Sequence, residues 1–269
     1  SRNQPDLGRH SITSARRHRR RQGCAEARGQ GLLSAASVTR NRRRNASRAT
    51  AALVQGVHIF AAGLVVRKRS MHETAVSFPS VQETLRRALS ERGYSEPTPV
   101  QNAVLHPDSA ERDLLVSAQT GSGKTVAYGL AIGCTILGDA GRFEPPRQPV
   151  ALVVAPTREL ALQVQRELDW LFAHANARVI SCVGGMDIRR EQRALAQGAH
   201  VVVGTPGRLC DHLDRNRLKL SSLRVVVLDE ADEMLDLGFR ENLEKLLSAA
   251  QPEHRTLLFS ATIPALPAS

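Results

Sequence analysis

The chain has 269 residues, 42% of them hydrophobic, and its 37 Lys and Arg residues exceed its 26 Asp and Glu residues by 11 formal charges. This length corresponds to one or two domains, and the hydrophobic fraction excludes a chain that is disordered throughout. No uninterrupted apolar run reaches the roughly 20 residues that a membrane-spanning helix needs, which excludes a polytopic membrane protein. The 4 cysteines form no CxxC pair and no Cys/His pair at metal spacing. We therefore expect reduced thiols in a cytoplasmic protein, without zinc or disulfides.

The basic excess lies entirely in the first quarter of the chain. Residues 1–70 contain 16 Lys and Arg residues and two acids, a net charge of +14, whereas residues 71–269 carry −3. Arg-rich segments with so little apolar content stay solvated, so we expect 1–70 to be disordered. Three interpretations are open: a nucleic-acid-binding tail, an organelle-targeting peptide, or nucleotide sequence upstream of the true start that has been translated and is no part of the protein. We favour the last, because the chain opens with Ser1 and its first methionine, Met71, just precedes the patterned region.

From about residue 79, short apolar runs alternate with amphipathic stretches. Runs rich in Val, Leu and Ile predict strands at 113–118, 150–155, 178–183, 200–204, 224–229 and 255–260. The stretch 157–173 predicts a helix, because its leucines and Val164 recur at three- and four-residue steps. Near-continuous apolar strands alternating with helices indicate an α/β fold, with a doubly wound, mostly parallel sheet covered by helices on both faces. Ligands are then expected at the carboxyl ends of the strands.

The first strand runs into a glycine-rich turn, which is followed by Lys124, Thr125 and a predicted helix over 126–137. The residues of the turn are Ala118, Gln119, Thr120, Gly121, Ser122 and Gly123. This order is typical of a phosphate-binding loop, whose glycines let backbone amides fold around phosphates at a helix N-terminus. Lys124 is then placed for the β- and γ-phosphates and Thr125 for Mg²⁺. The strand and helix on either side disfavour an incidental turn.

The fifth strand ends in the acidic sequence Asp229-Glu230-Ala231-Asp232. A carboxylate at the tip of a strand near a phosphate loop is suited to hold Mg²⁺, partly through water, and we assign this role to Asp229. Glu230 is placed to orient or deprotonate an attacking water. The alternative is an acidic helix N-terminus stabilised by the helix dipole. Because the acidic sequence occurs together with a phosphate loop, we favour the catalytic role and assign Lys124, Asp229 and Glu230 as the catalytic residues.

Together with motifs further along the chain, these residues resemble the first RecA-like domain of a DEAD-box RNA helicase. Seven motifs follow the family's order: Phe78 with 93–101, then 118–125, 156–161, 184–185, 205–208, 229–232 and 260–262. The resemblance implies a RecA-like domain over 71–269, with ATP and Mg²⁺ as cofactors. It also implies that RNA is bound through its backbone, without sequence specificity. Asp232 stands where the DEAH group has His, which favours the DEAD-box group.

The resemblance also implies residue roles. The amide of Gln101 is complementary to N6–H and N7 of adenine, and Phe78 would stack on the base. The alternatives are a surface position on a helix for Gln101 and a core anchor for Phe78. The implied RNA contacts are Thr157, Arg158, Gly185, Thr205 and Arg208. The residues implied to couple nucleotide state to RNA binding are Asp232, Ser260 and Thr262.

A complete enzyme of this family contains a second RecA-like domain, which supplies an arginine to the transition state. This chain ends seven residues after Thr262. We therefore expect the amino-terminal half of an ATP-dependent RNA helicase, which hydrolyses ATP slowly and does not unwind duplexes alone. One alternative is a non-catalytic ATP- and RNA-binding module of this length. A DNA-translocating relative is a further alternative, which the Gln101 motif disfavours.

Overall fold

The computed structural model describes Phe78, residues 80–138 and residues 141–261. The basic segment predicted over 1–70 and the predicted coupling residue Thr262 lie outside these residues. Within the described part, every predicted strand forms, with ends within one residue of the prediction. The strands are β1 (Leu114–Ser117), β2 (Ala151–Val154), β3 (Val179–Cys182), β4 (Val201–Gly204), β5 (Val225–Leu228) and β6 (Arg255–Ser260).

Eight α-helices form among the described residues. They are α1 (Glu83–Glu91), α2 (Pro99–Leu105), α3 (Lys124–Ile136), α4 (Arg158–Leu171), α5 (Ile188–Ala196), α6 (Pro206–Asp214), α7 (Ala231–Asp236) and α8 (Arg240–Ala249). Helix α4 is the one predicted over 157–173, and the Thr157 side chain caps it by accepting the Leu160 N–H. Helix α3 begins two residues before the predicted 126–137, because Gly123, with φ 88°, forms its N-cap. No helix in the described part is long and apolar enough to cross a membrane.

All pairings between the described strands are parallel, and the strand order is β1-β6-β5-β2-β4-β3. At the centre of the sheet, Val153 of β2 pairs with Val227 of β5 on one side and with Val203 of β4 on the other. Because all the strands point the same way, their carboxyl ends meet at one edge of the sheet. The predicted parallel α/β fold is confirmed.

Successive residues of the central strands face opposite hydrophobic layers. In β2, Val153 belongs to one cluster, together with helices α1 to α4, and Leu152 belongs to a second cluster, together with α5 to α8. Every residue of β2, β4 and β5 is buried. Burial on both faces explains why these strands are continuous apolar runs, and it confirms the doubly wound arrangement.

Helix α3, which begins with Lys124 and Thr125, lies very close to its neighbours in the first layer. A Cβ atom at Gly129 would lie 2.6 Å from Leu171 Cδ2 of α4. A Cβ atom at Gly133 would collide with the Leu85 side chain of α1. Because these approaches are closer than van der Waals contact allows, a larger residue at either position would force the neighbouring leucine side chains to shift. The close packing fixes the helix that extends the phosphate loop.

Candidate functional site

The carboxyl edge of the sheet carries the sequence motifs in two groups. The phosphate loop follows β1, the predicted catalytic carboxylates follow β5, and Ser260 ends β6, and these three strands are adjacent. Thr157, Gly185 and Thr205 follow β2, β3 and β4, which form the other half of the sheet. The fold therefore brings the phosphate loop and the predicted catalytic carboxylates together on one half of the edge, and places predicted RNA residues on the other.

The phosphate loop, residues 118–125, turns from β1 into α3 through two glycines with positive φ, 82° at Gly121 and 88° at Gly123. Ala118 is buried and donates its backbone N–H to the carbonyl of Ser260 at 3.2 Å, which anchors the loop to β6. The exposed residues of the loop are Gln119, Thr120 and Gly121. An open loop at a helix N-terminus carries partial positive charge, which suits phosphate binding.

Lys124 and Glu230, both predicted to be catalytic, are in direct contact. Lys124 Nζ donates to Glu230 Oε1 at 2.5 Å, and the two side chains are 7% and 15% exposed. Glu230 has φ 50° and ψ 54°, a left-handed conformation that is uncommon outside glycine, and it is the N-cap of α7. Backbone strain of this kind is often found where a functional side chain must be aimed. Here it accompanies the turn that brings the carboxylate to the phosphate loop.

Asp229 is buried, with 2% of the residue exposed. Its Oδ2 accepts a hydrogen bond from the Tyr128 hydroxyl at 3.1 Å, whereas Oδ1 is buried without a hydrogen-bond partner. Burial raises the pKa of Asp229 to about 6, against the opposing effect of nearby Lys124. Thr125, the other predicted ligand, also lies close to Tyr128, so the two predicted ligands are near one another. A buried oxygen without a partner and a nearby hydroxyl fit Mg²⁺, which prefers oxygen ligands.

Gln101 is fully buried and its amide binds the phosphate loop. Oε1 accepts the Thr98 N–H at 3.0 Å, and Nε2 donates to the carbonyl of Gly123 at 3.4 Å. The Thr98 hydroxyl donates to the carbonyl of Ser122 at 3.0 Å. The alternative of a surface position for Gln101 is therefore wrong. The adenine contact stays a prediction, and the sequence did not indicate that this amide joins α2 to the loop.

Phe78 is 3% exposed and belongs to the hydrophobic cluster of the first layer. It lines a cleft of about 520 Å³ together with Arg86 and Arg87 of α1 and with Tyr94. An aromatic ring that is this deeply buried offers little surface to a base. The burial of Phe78 favours its role as a core anchor over stacking on a base. The sequence could not separate these two interpretations, because a buried ring and a stacking ring look the same in sequence.

Two of the predicted RNA contacts meet at the other half of the edge. Arg158 is exposed in the first turn of α4, and Gly185 follows β3 with φ 75°. A Cβ atom at Gly185 would lie 3.0 Å from Arg158 Nη1, so the arginine passes directly over this glycine. Thr205 is the N-cap of α6 and makes no side-chain capping bond. The structure thus presents a cation and backbone groups at one surface.

Arg208, the remaining predicted RNA contact, is held by groups of the protein. Its Nη1 donates to Glu191 Oε2 of α5 at 3.4 Å, and its Nη2 donates to the Met186 carbonyl at 3.4 Å. The side chain is only 14% exposed. Arg208 therefore joins α6 to the loop after β3, and any bond to RNA phosphate uses its remaining N–H groups. Glu191 was not identified from the sequence.

Glu191 is the centre of a buried polar cluster. Its Oε1 accepts the Val183 N–H at 3.0 Å, and its Oε2 lies 2.6 Å from His212 Nε2. Ligand atoms of Cys182, Glu191 and His212 lie within 4.8 Å of one another, although the sequence spacing indicated no metal site. Both Glu191 oxygens already accept hydrogen bonds, Arg208 adds a cation, and burial raises the pKa of Cys182 to about 12. These features favour a hydrogen-bonded link between the RNA-side loops over a cation site.

The predicted coupling residues lie around the same edge. Asp232 is in the first turn of α7, and Ser260 is 4% exposed at the end of β6, where its carbonyl holds the start of the phosphate loop. Thr262 is outside the described residues. Ser260 thus lies between the phosphate loop after β1 and the acidic motif after β5, on the strand that separates them. The coupling role of these residues stays a prediction.

A phosphate loop after β1 and two carboxylates after β5 of a parallel sheet define a nucleotide-binding domain of the RecA-like type. Comparison with known proteins narrows this class. The family model described as DEAD/DEAH box helicase matches residues 98–268. The chain belongs to the DEAD/DEAH box helicase family.

Similar proteins of known name agree with this family. The DEAD-box ATP-dependent RNA helicase CshA of Bacillus licheniformis is 45% identical over 181 residues, which are 67% of this chain and 36% of the relative. CshA of Bacillus subtilis is 41% identical over 186 residues, 69% of this chain and 36% of the relative. The crystal structure of a DEAD box protein from the hyperthermophile Methanococcus jannaschii matches with TM-score 0.61 and 35% identity, covering 68% of this chain and 49% of that chain. The chain spans about a third of the length of these curated relatives.

Proposed function

We propose that the chain is the ATP-binding part of an ATP-dependent RNA helicase. The observation that carries this proposal is the contact of Lys124 with Glu230, beside the buried carboxylate of Asp229, at an open phosphate loop. The contact places a cation for phosphate charge and a carboxylate for water at the same point. The relatives with similar sequences are named RNA helicases, which supports RNA as the second ligand.

In this proposal, ATP places its β- and γ-phosphates in the loop, where the amides of the α3 N-terminus and the Lys124 ammonium offset their charge. Phosphate binding to Lys124 displaces the Glu230 carboxylate from its ion pair. The freed carboxylate then accepts a hydrogen bond from the attacking water and orients it. Mg²⁺, held by Thr125 and Asp229 and partly through water, would supply further neutralisation of phosphate charge.

RNA binds the other half of the sheet edge through its sugar–phosphate backbone, so binding does not depend on sequence. The residues proposed to contact it are Thr157, Arg158, Gly185, Thr205 and Arg208. A second RecA-like domain in the whole protein closes over both ligands, and Asp232, Ser260 and Thr262 couple ATP state to RNA binding. We propose a cytoplasmic location, where the cysteine thiols would stay reduced.

The proposal is tested first by ATP binding. In a thermal unfolding assay, ATP with Mg²⁺ at 100 times its Kd should stabilise the chain by about 2.7 kcal/mol. Lys124→Ala should abolish this stabilisation, because it removes the cation that faces the phosphates. Lys245→Ala, which removes an exposed lysine paired with Asp214, serves as the matched control and should retain it. Equal stabilisation of Lys124→Ala and the control would contradict the phosphate-loop assignment.

Glu230→Gln separates binding from turnover. The amide keeps the shape of the side chain but is a poor base, so the variant should retain ATP binding. In the whole protein with its second domain, RNA-stimulated ATP hydrolysis should fall by at least about 100-fold, as expected for loss of general-base chemistry. Hydrolysis at the normal rate would show that another group positions the water. If the unmutated whole protein binds ATP and RNA without turnover, a non-catalytic binding module is the better description.

A further inference from the structure

Tyr128 is a residue of helix α3 and is fully buried. Its ring packs edge-on against Phe259 of β6, with ring centroids 5.2 Å apart. Phenylalanine would fill this space equally well, so packing alone does not require the hydroxyl. A buried hydroxyl is unfavourable unless it is hydrogen-bonded, and the partners of Tyr128 therefore indicate what its hydroxyl does.

Both groups beside the Tyr128 hydroxyl belong to the candidate nucleotide site. The hydroxyl donates to Asp229 Oδ2 at 3.1 Å, and Thr125 lies close to it, one helical turn earlier on the same face of α3. Tyr128 therefore lies between the two residues whose oxygens fit Mg²⁺.

The hydrogen bond from Tyr128 decides which oxygen of Asp229 remains available. Asp229 Oδ2 is used by Tyr128, whereas Oδ1 is buried without a partner. The hydroxyl oxygen of Thr125 is a second possible ligand close by. Both are oxygens of the kind that Mg²⁺ prefers.

We propose that Tyr128 is a positioning residue for Mg²⁺ in the nucleotide site, because its hydroxyl holds one oxygen of Asp229 and leaves the other, beside Thr125, to receive the cation. The inference rests on the proposed function, since it concerns the metal that accompanies ATP. Groups that hydrogen-bond to metal ligands fix ligand orientation, and their loss typically lowers metal affinity 10–100-fold. Tyr128 makes no direct contact with the phosphates in this proposal.

The test is Tyr128→Phe, which removes only the hydroxyl and keeps the ring against Phe259. Binding of a fluorescent ATP analogue is measured first in EDTA and then in a titration with Mg²⁺. We expect the affinity in EDTA to stay within about twofold, because the phosphate loop is unchanged. The Mg²⁺ concentration for half-maximal tightening should rise about tenfold. Tyr94→Phe, at the chain's only other tyrosine, is the matched control and should behave as the wild type.

A double-mutant cycle shows whether the effect passes through Asp229. In an Asp229→Asn background, Tyr128→Phe should have less effect on the Mg²⁺ dependence than it has in the wild type. If Tyr128→Phe lowers the melting temperature but leaves the Mg²⁺ titration unchanged, the hydroxyl is only structural and the inference is overturned. If the wild type itself shows no Mg²⁺-dependent ATP binding, the proposed function fails instead, so the two failures are distinguishable.

Discussion

Asp229 is costly to ionise in the metal-free protein, because burial opposes its charge more than Lys124 supports it. Its pKa of about 6 in the folded protein exceeds the ordinary 3.8, so the folded state binds this proton more tightly than the unfolded chain does. The resulting contribution to stability is fully present below the unfolded pKa and is lost as pH rises through the folded pKa. We expect the Asp229 contribution to the free energy of unfolding to fall between pH 3.8 and about 6.

This pH dependence is measured by urea unfolding in EDTA across that pH range. Other carboxylates titrate there too, so the useful quantity is the difference between Asp229→Asn and the wild type. Because the amide does not ionise, the stability of the variant relative to the wild type should increase with pH and level off above about pH 6. A difference that does not change with pH would show that Asp229 ionises as freely as an exposed aspartate.

The residue scale is also where the sequence was least informative about the site. Lys124, Asp229 and Glu230 were identified because their chemistry and their position after strands agree. The amide of Gln101 and the guanidinium of Arg208 were identified as well, but their partners were not, because an amide or a cation looks the same in sequence whether it faces a ligand or a protein group. Tyr128 lies one helical turn after Thr125, a spacing that could have indicated it.

At the scale of helices and strands, the prediction was most accurate for the sheet. All six strands were predicted to within one residue, because strands buried on both faces must be apolar along their whole length. Helix α3 was less well predicted at its start, since Gly123 caps the helix through a backbone conformation that apolar periodicity does not reveal. Strand order could not be predicted either, because it depends on contacts between residues far apart in the chain.

The close packing of α3 leads to a prediction about stability. Gly129→Ala should lower the free energy of unfolding by about 1–3 kcal/mol, because the new methyl group overlaps Leu171 of α4. Gly207→Ala in α6 is the matched control: it meets open space, and alanine should be neutral or stabilising there. Urea unfolding of both variants makes the comparison. A Gly129→Ala variant as stable as the control would mean that α3 and α4 separate easily.

The Glu191 cluster joins elements that carry predicted RNA contacts, so its loss should affect both stability and RNA binding. Glu191→Ala leaves the Val183 N–H, His212 and Arg208 without their buried acceptor, and we expect a loss of roughly 3 kcal/mol in unfolding free energy. Glu191→Gln keeps an acceptor for Val183 and should be milder. Asp211→Ala, which breaks the exposed pair with Arg215, is the control and should change stability little.

RNA binding by the Glu191 variants is measured with a fluorescent single-stranded RNA at a temperature where every variant is folded. Glu191→Ala should weaken binding, because Arg208 and the loop after β3 lose their common anchor. ATP-analogue affinity, which depends on the other half of the edge, should be unchanged. RNA affinity equal to that of the wild type would mean that these loops hold their positions without the buried carboxylate.

At the scale of the whole molecule, net charge is a poor guide to RNA binding. The excess of 11 positive charges comes from residues 1–70, and residues 71–269 carry −3. The proposed RNA surface therefore depends on a few placed arginines, threonines and backbone groups. The family could be predicted from the sequence because seven ordered motifs are specific together. This chain spans about a third of the length of these curated relatives, so the activity of the whole protein stays a proposal.

The proposed ATP and RNA sites meet at the boundary between two neighbouring strands of the sheet. Strands β5 and β2 are neighbours, and parallel strands lie about 4.8 Å apart. The backbone N–H of Asp229 donates directly to the carbonyl of Val154 at 2.9 Å, and Thr157 follows three residues later. If phosphate displaces the acidic motif as proposed, the displacement would reach the proposed RNA side across a single backbone hydrogen bond. The proposed communication between the two ligands would then need no relay through the core.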